Sequence, residues 1–305
     1  MFQLSKYCEI YFFIFFFNLS IMTRILSLFF VILWSSAFIT SKVIVDNATP
    51  FASLSFRFIL VALGFLLFSF FLKEQILIKL KFFFEAFLSG ILFHGLYLGG
   101  VFYSIFIGLP ASISALIVSM HPILTNILAG PILKEEVSWK QWVGIILAFT
   151  GTIIVLGLDI GIGIPVIGLI ASIISLLAVT SGTILQKKLS NRLPLSVSNF
   201  YQAIGASIFL FIVMLIAEDP YIKFNYSFIL SMGWQIIAVS FGAFTILMYL
   251  IKIDSASKTS NLFFLVPPIS AFMAWLFLKE NINYFDIIGL IITTIGVYIA
   301  TKDKN

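Results

Sequence analysis

Apolar residues along this chain come in long runs broken by short polar punctuation. Between charges and turn residues the runs fall at 23–42, 53–72, 82–103, 109–132, 138–157, 163–186, 195–217, 232–251, 255–278 and 283–301. A helix needs about 20 apolar residues to cross about 30 Å of hydrocarbon, so the pattern predicts an all-α integral membrane protein with ten transmembrane helices. The connections are short and carry turn chemistry, as in Asp46-Asn47-Ala48-Thr49-Pro50, Gly108-Leu109-Pro110, Gly161-Ile162-Gly163 and Glu218-Asp219-Pro220. Residues 1–22 fit this scheme badly. Their apolar run from Ile10 to Ile21 is short, interrupted by Asn18 and Ser20, and joined to the first span without a loop. A single Lys and no small-residue cleavage site argue against a signal peptide. The stretch is read as an N-terminal extension, with Met22 as the expected start; an interfacial extension is the alternative.

The second regularity is a repeat. Moved forward 145 positions, Ala111–Val155 lies on Ala256–Ala300 without a gap: Ala111-Ser112 on Ala256-Ser257, Pro122 on Pro267, Leu133-Lys134-Glu135 on Leu278-Lys279-Glu280, Gly144 on Gly289 and Gly151 on Gly296. The earlier parts agree at an offset of 144, with Pro50 on Pro194, Phe56 on Phe200 and Ala62 on Ala206. A repeat of half the chain length is read before any local pattern. It divides the chain into two related units, 23–157 and 163–302.

Charge sets the orientation. With ten spans and a cytoplasmic N-terminus, 14 of the 18 Lys and Arg fall inside, and only Lys42, Arg57, Lys223 and Lys279 fall outside, as the positive-inside rule requires. Five helices per unit is an odd number, so the second unit enters the membrane upside down. The expected architecture is two inverted five-helix repeats, which many secondary transporters share.

Composition narrows the classes. Charged residues are 10% of the chain and hydrophobic residues 61%, with a mean hydropathy of +1.14; a soluble domain carries about 25% charged residues. The net charge of +5 forms no basic cluster and gives no sign of nucleic acid. One cysteine, Cys8, excludes an intrachain disulfide and a Cys-based metal site. No phosphate loop, zinc motif or serine elbow appears, so neither an enzyme nor a cofactor is expected.

Candidate chemistry lies at membrane depth. His121-Pro122 falls mid-way along the fourth span and Val266-Pro267-Pro268 mid-way along the ninth. Each proline frees the carbonyl four residues back (Val118, Phe263, Phe264), and helices broken at matching positions of two inverted halves point to a transport site. The polar residues expected near mid-depth are Ser35, Ser36, His94, Tyr97, Tyr103, His121, Thr125, Asn126, Gln202 and Asn261. With no Asp or Glu at that depth, proton coupling would rest on His94 and His121, the ionisable groups there; a neighbouring helix satisfying a neutral imidazole is the plain alternative. Trp34 stands about 18 Å from Met22 beside two serines and suits a cavity wall or core packing. Arg57 sits near the outer end of the second span, either as a snorkelling anchor or as a group attracting an anion. Lys134-Glu135 and Lys279-Glu280 are read as structural: the cation at the end of one helix, the anion at the start of the next. Gly144, Ala148 and Gly151, with Gly289, Thr293 and Gly296, form close-packing faces that could also serve a homodimer.

Trp34-Ser35-Ser36-Ala37-Phe38, Lys42, Pro50 and Arg57-Phe58 resemble the opening of EamA-type members of the drug/metabolite transporter superfamily. Ala111-Ser112 through Pro122 to Leu133-Lys134-Glu135, with the copy ending Leu278-Lys279-Glu280, extends the likeness over residues 23–302. The resemblance implies a ten-helix carrier in the plasma membrane (the inner membrane, if bacterial), both termini cytoplasmic. It also implies a central cavity between the halves and alternating access without ATP. The second unit has Ala178 and Tyr201 where the first has Trp34 and Arg57, so the halves need not contribute equally. The expected function is export of a small organic metabolite such as an amino acid. The alternatives are an importer of a solute such as S-adenosylmethionine, and a non-transporting scaffold or sensor.

Overall fold

Proline, asparagine and serine set where the helices begin. Pro50 opens one helix, where a missing N–H costs nothing. Asn225 and Ser255 cap two others, accepting from Phe228 N at 2.9 Å and Lys258 N at 3.0 Å. The computed structural model describes residues 2–109, 114, 117–156, 165–278 and 284–302. Among these the chain is helical, with no strand beyond one antiparallel bridge between Ala48 and Ile222. In the first unit the helices are α1 (Phe2–Val45), α2 (Pro50–Phe71), α3 (Leu80–Phe106), α4 (His121–Leu133) and α5 (Trp139–Leu156). In the second they are α6 (Val166–Ser190), α7 (Leu195–Ala217), α8 (Tyr226–Ile253), α9 and α10 (Tyr284–Thr301). α9 begins as Ala256–Asn261, tightens to a 3-10 turn over Leu262–Leu265 and continues as Val266–Leu278.

Eight of these helices are long and apolar enough to cross a membrane; α4 and α5 are shorter apolar helices. The expected fourth span opens at 109, and residues 110–113, 115 and 116 of it lie outside the described residues. α1 runs unbroken through Met22, the start that the sequence reading expects, and into the first span at 23–42.

The helices pair as the repeat relates them. α2 packs on α7 and α5 on α10, each with its own counterpart. α1 packs on α8 and α9, as α6 packs on α3 and α4. The α5–α10 pair crosses backbone to backbone. A Cβ on Gly144 would lie 2.7 Å from Gly296 O and 2.5 Å from Ala300 N, and one on Gly151 would lie 2.8 Å from Gly289 O. The small-residue faces are therefore filled within one chain, which removes them as a surface for a homodimer.

Glutamates join the units end to end. Glu218 accepts from Phe51 N and Ala52 N at 2.6 and 3.2 Å, capping α2 from across the repeat. Glu74, its counterpart 144 positions earlier, takes the hydroxyl of Ser196, at the start of α7. Glu135 accepts from Ala256 N, Ser257 N and Ser257 Oγ at 2.9, 3.1 and 2.8 Å, so it caps α9. This corrects the sequence reading, which gave Glu135 to the next helix in the chain. The chain leaves α4 through Lys134 at φ 60°, a left-handed turn that ends that helix and carries Glu135 towards α9. Lys279-Glu280 and Ala111-Ser112, the matching positions, lie outside the described residues.

Candidate functional site

Between the two units lies a cavity of about 560 Å³. Residues on α1 (Trp34, Phe38, Ser41, Lys42, Val45), α2 (Arg57) and α3 (His94, Tyr97, Val101, Ile105) form one side. α8 supplies Gln235, Val239, Ser240 and Phe244, and α9 supplies Pro267, Ser270 and Ala271. The lining residues lie late in α1 and α3 but early in α2. The cavity therefore sits towards the end of the bundle that carries the α1–α2 and α7–α8 connections, which are tied by Thr49 N to Tyr221 O at 3.1 Å and Lys223 N to Asn47 O at 2.8 Å. Towards the opposite end an aromatic plug closes the path: the Trp34 ring lies 5.4 Å from Phe30, 6.1 Å from Phe93 and 5.3 Å from Phe263. Beyond it, Glu135 holds α9, and Lys187 Nζ donates to Ile251 O at 2.7 Å and to Asp254 O.

Two of the walls are not ordinary α-helix. α3 is π-helical over Ile91–Leu96 and α8 over Gln235–Ala243. The 144-residue offset sets Ile91 on Gln235, so the two segments are repeat counterparts. π-Turns concentrate at functional sites because the extra residue re-aims side chains. Here they deliver His94 from one unit, and Gln235 and Ser240 from the other, to the same cavity.

Arg57 is 6% exposed. Its Nε and Nη2 donate to Ser240 Oγ at 3.0 and 2.9 Å, and its Nη1 donates to Gln235 Oε1. The Gln235 amide is fixed from its other end, where Nε2 donates to Ala37 O, Thr40 Oγ1 and Ser41 Oγ at 2.9, 2.9 and 3.0 Å. Arg57 is thus a buried guanidinium on the cavity wall, clamped across the unit boundary. The snorkelling anchor of the sequence reading does not describe it, since that role needs a head group in water.

Of the candidates read from sequence, Trp34, His94, Tyr97 and Pro267 line this cavity. The others do not. Ser35 donates to Val266 O at 3.3 Å and Ser36 to Leu33 O at 2.6 Å. Tyr103 stacks on Phe51 with ring centroids 5.7 Å apart. Gln202 accepts from Gln186 Nε2 at 3.2 Å and Ser89 Oγ at 3.4 Å. Asn126 donates to Pro122 O at 2.7 Å and to Asn261 Oδ1 at 2.8 Å, which ties α4 to α9. Thr125 is fully buried there. His121 is 1% exposed, edge-on to Phe263 at 4.6 Å.

Pro122 and Pro268 stand apart from the cavity. Of the carbonyls freed by Pro267 and Pro268, Phe263 O accepts from Val266 N and Phe264 O accepts from Thr152 Oγ1 at 3.4 Å. Sequence reasoning missed Gln235, Ser240 and Ser270. The available signal was the offset that sets Gln235 on Ile91: a polar residue standing where the first unit has an apolar one.

The family model of the EamA-like transporter family matches twice, over residues 21–157 and 166–302. Among curated relatives, the uncharacterized transporter YvbV of Bacillus subtilis (strain 168) is 27% identical over 232 residues, 72% of this chain and 71% of that one. YyaM of the same organism, also an uncharacterized transporter, is 31% identical over 61% of this chain and 63% of its own. An uncharacterized transporter of Buchnera aphidicola subsp. Schizaphis graminum is 24% identical over 92% of this chain and 95% of its own. A solved crystal structure covers 92% of this chain and 97% of its own with a TM-score of 0.77 at 14% identity, a likeness of fold. A doubled family match over nearly the whole chain, on a bundle of membrane-length helices around a shared cavity, makes this a multi-pass membrane transporter that belongs to the EamA-like family of the drug/metabolite transporter superfamily.

Proposed function

We propose that the protein is a secondary, ATP-independent carrier that exports a small organic metabolite by alternating access. Its ten helices form two inverted repeats in the plasma membrane, with units at 23–157 and 163–302 and both termini in the cytoplasm. The observation that carries this reading is the cavity walled by both units, with Arg57, His94 and Tyr97 facing Gln235, Ser240 and Pro267. It opens towards the end that the Lys/Arg distribution assigns to the outside, and the aromatic plug and the Glu135 cap close the other end. That is the outward-facing half of a cycle whose other half needs the cap to release.

The carrier reading is tested by comparing metabolites inside cells and in the medium, with and without the gene. Export predicts one solute that accumulates inside and falls outside when the gene is lost. The reverse pattern replaces export with import, and unchanged profiles across growth conditions count against a carrier.

A further inference from the structure

A positive charge buried in a membrane protein is expensive, and a structural one is normally held by a carboxylate. Among the described residues Arg57 is held by none. Its three bonds go to a hydroxyl and an amide oxygen. Among the described residues no carboxylate pairs with it, and the cavity wall carries no Asp or Glu. A guanidinium has five N–H donors, so one remains on each Nη. The edge formed by Nε and Nη2 is spent on Ser240, and the Gln235 amide is locked by three acceptors on α1, so neither neighbour can turn away from the guanidinium. What is left is a charged fork at the rim of an apolar chamber walled by Trp34, Phe38, Phe102 and Phe244. Such a fork matches the two oxygens of a carboxylate.

Resting on the carrier reading above, we infer that the solute is an organic monoanion, its carboxylate taken by Arg57 and its apolar body by the aromatic wall. The same wall selects against cations. The Arg57 guanidinium lines it, and among the described lining residues an ammonium group would meet only neutral acceptors such as the hydroxyls of Tyr97 and Ser270. Among amino-acid-like solutes the site therefore favours those without the amine.

The test uses the purified full chain and four solutes with one phenyl body: 3-phenylpropionate, phenylalanine, phenethylamine and 3-phenylpropanol. Binding is read as a concentration-dependent rise in melting temperature. The anion is expected to bind tightest and the amine weakest. Arg57→Gln should weaken the anion on the order of 10–100-fold, the worth of one or two hydrogen bonds to a charged group, while leaving 3-phenylpropanol unchanged. Gln235→Glu supplies Arg57 with a carboxylate from the protein, at the loss of the amide donation to Ala37 O; it should abolish binding of the anion while 3-phenylpropanol still binds. Several outcomes overturn the inference: phenethylamine or phenylalanine binding as well as 3-phenylpropionate, an unchanged anion affinity in Arg57→Gln, or no binding of 3-phenylpropionate and octanoate at about 10 mM. Counterflow in proteoliposomes separates the two readings. Anion binding without counterflow keeps the site and removes the carrier, whereas counterflow that prefers the amine keeps the carrier and removes the anion site.

Discussion

The bond between Glu135 and the start of α9 is the contact an alternating cycle must break, and its strength can be worked out. The carboxylate accepts two backbone N–H groups and one hydroxyl. A lost N-cap costs about 1 kcal/mol, the helix dipole adds up to about 1 kcal/mol, and a hydrogen bond to a charged group is worth about 1.5–3 kcal/mol when buried. Glu135 is half-buried, so the three do not sum at full value. Glu135→Ala should cost the closed state about 2–4 kcal/mol relative to the open one, a factor of about 30 to 1,000 in the equilibrium. A parent population of 99:1 would pass to about 3:1 at the lower figure. Glu135→Gln keeps one acceptor oxygen and should cost about 1 kcal/mol. The measurement is the distance distribution between spin labels at Lys140 and Lys252, both exposed, in a Cys8→Ser background. A longer distance should be prominent in Glu135→Ala and slight in Glu135→Gln. If Glu135→Ala gives the parent distribution, the cap does not hold this end closed and the reasoning fails.

Four further outcomes can be checked. With Cys8 removed, single cysteines at Lys79 and Lys188 should react only from the cytoplasm and one at Lys223 only from outside; external labelling of position 188 refutes the inverted repeat. Flux driven by a pH gradient in liposomes should be lost in His94→Gln, on the cavity wall, and kept in His121→Gln, packed on Phe263 away from it; the opposite result removes the cavity from coupling. Gly151→Leu drives side-chain atoms into the α10 backbone and should abolish folded protein in size-exclusion profiles, whereas Gly233→Leu, where a Cβ meets nothing within 4 Å, should be tolerated. Desolvation holds the Glu74 carboxyl above its ordinary range, against the opposing charge of Lys252. The folded chain then binds that proton more tightly than the unfolded one, so this contribution to stability is present at low pH and lost as pH rises through the raised value; melting curves of Glu74→Gln should lack that step.

Much of the architecture is legible in the sequence because lipid enforces it: apolar runs of fixed length, basic loops on one side, and a repeat that keeps Pro122 on Pro267 and Gly144 on Gly289. Individual contacts are less legible. Arg57 at the outer part of a span suits a snorkelling anchor until the neighbours of that helix are known, and those neighbours come from α8, more than 170 positions away. Glu135 is visible as a helix-end charge, but not which helix it serves. The π-helical turns at Ile91 and Gln235 carry no proline to announce them. The prolines that do announce a break put only Pro267 on the cavity; Thr152 and the backbone take the carbonyls freed in α9.

The crossing of α5 and α10 has a mechanical consequence. Gly144 and Gly151 are seven residues apart, about 10.5 Å along the helix axis; Gly144 meets the backbone of Gly296 and Ala300, and Gly151 meets that of Gly289 and Thr293 with the Thr293 hydroxyl beside it. Two backbone contacts at that spacing fix a line, where one would fix only a point. In an alternating cycle the pair would serve as a stator, to which the movement of the other helices is referred. Leucines that slide over one another could absorb a small rotation; two backbones in direct contact cannot. Variation within the chain should fall accordingly, with the cavity free to change its lining as the cargo changes and the glycine seam holding its residues whatever is carried.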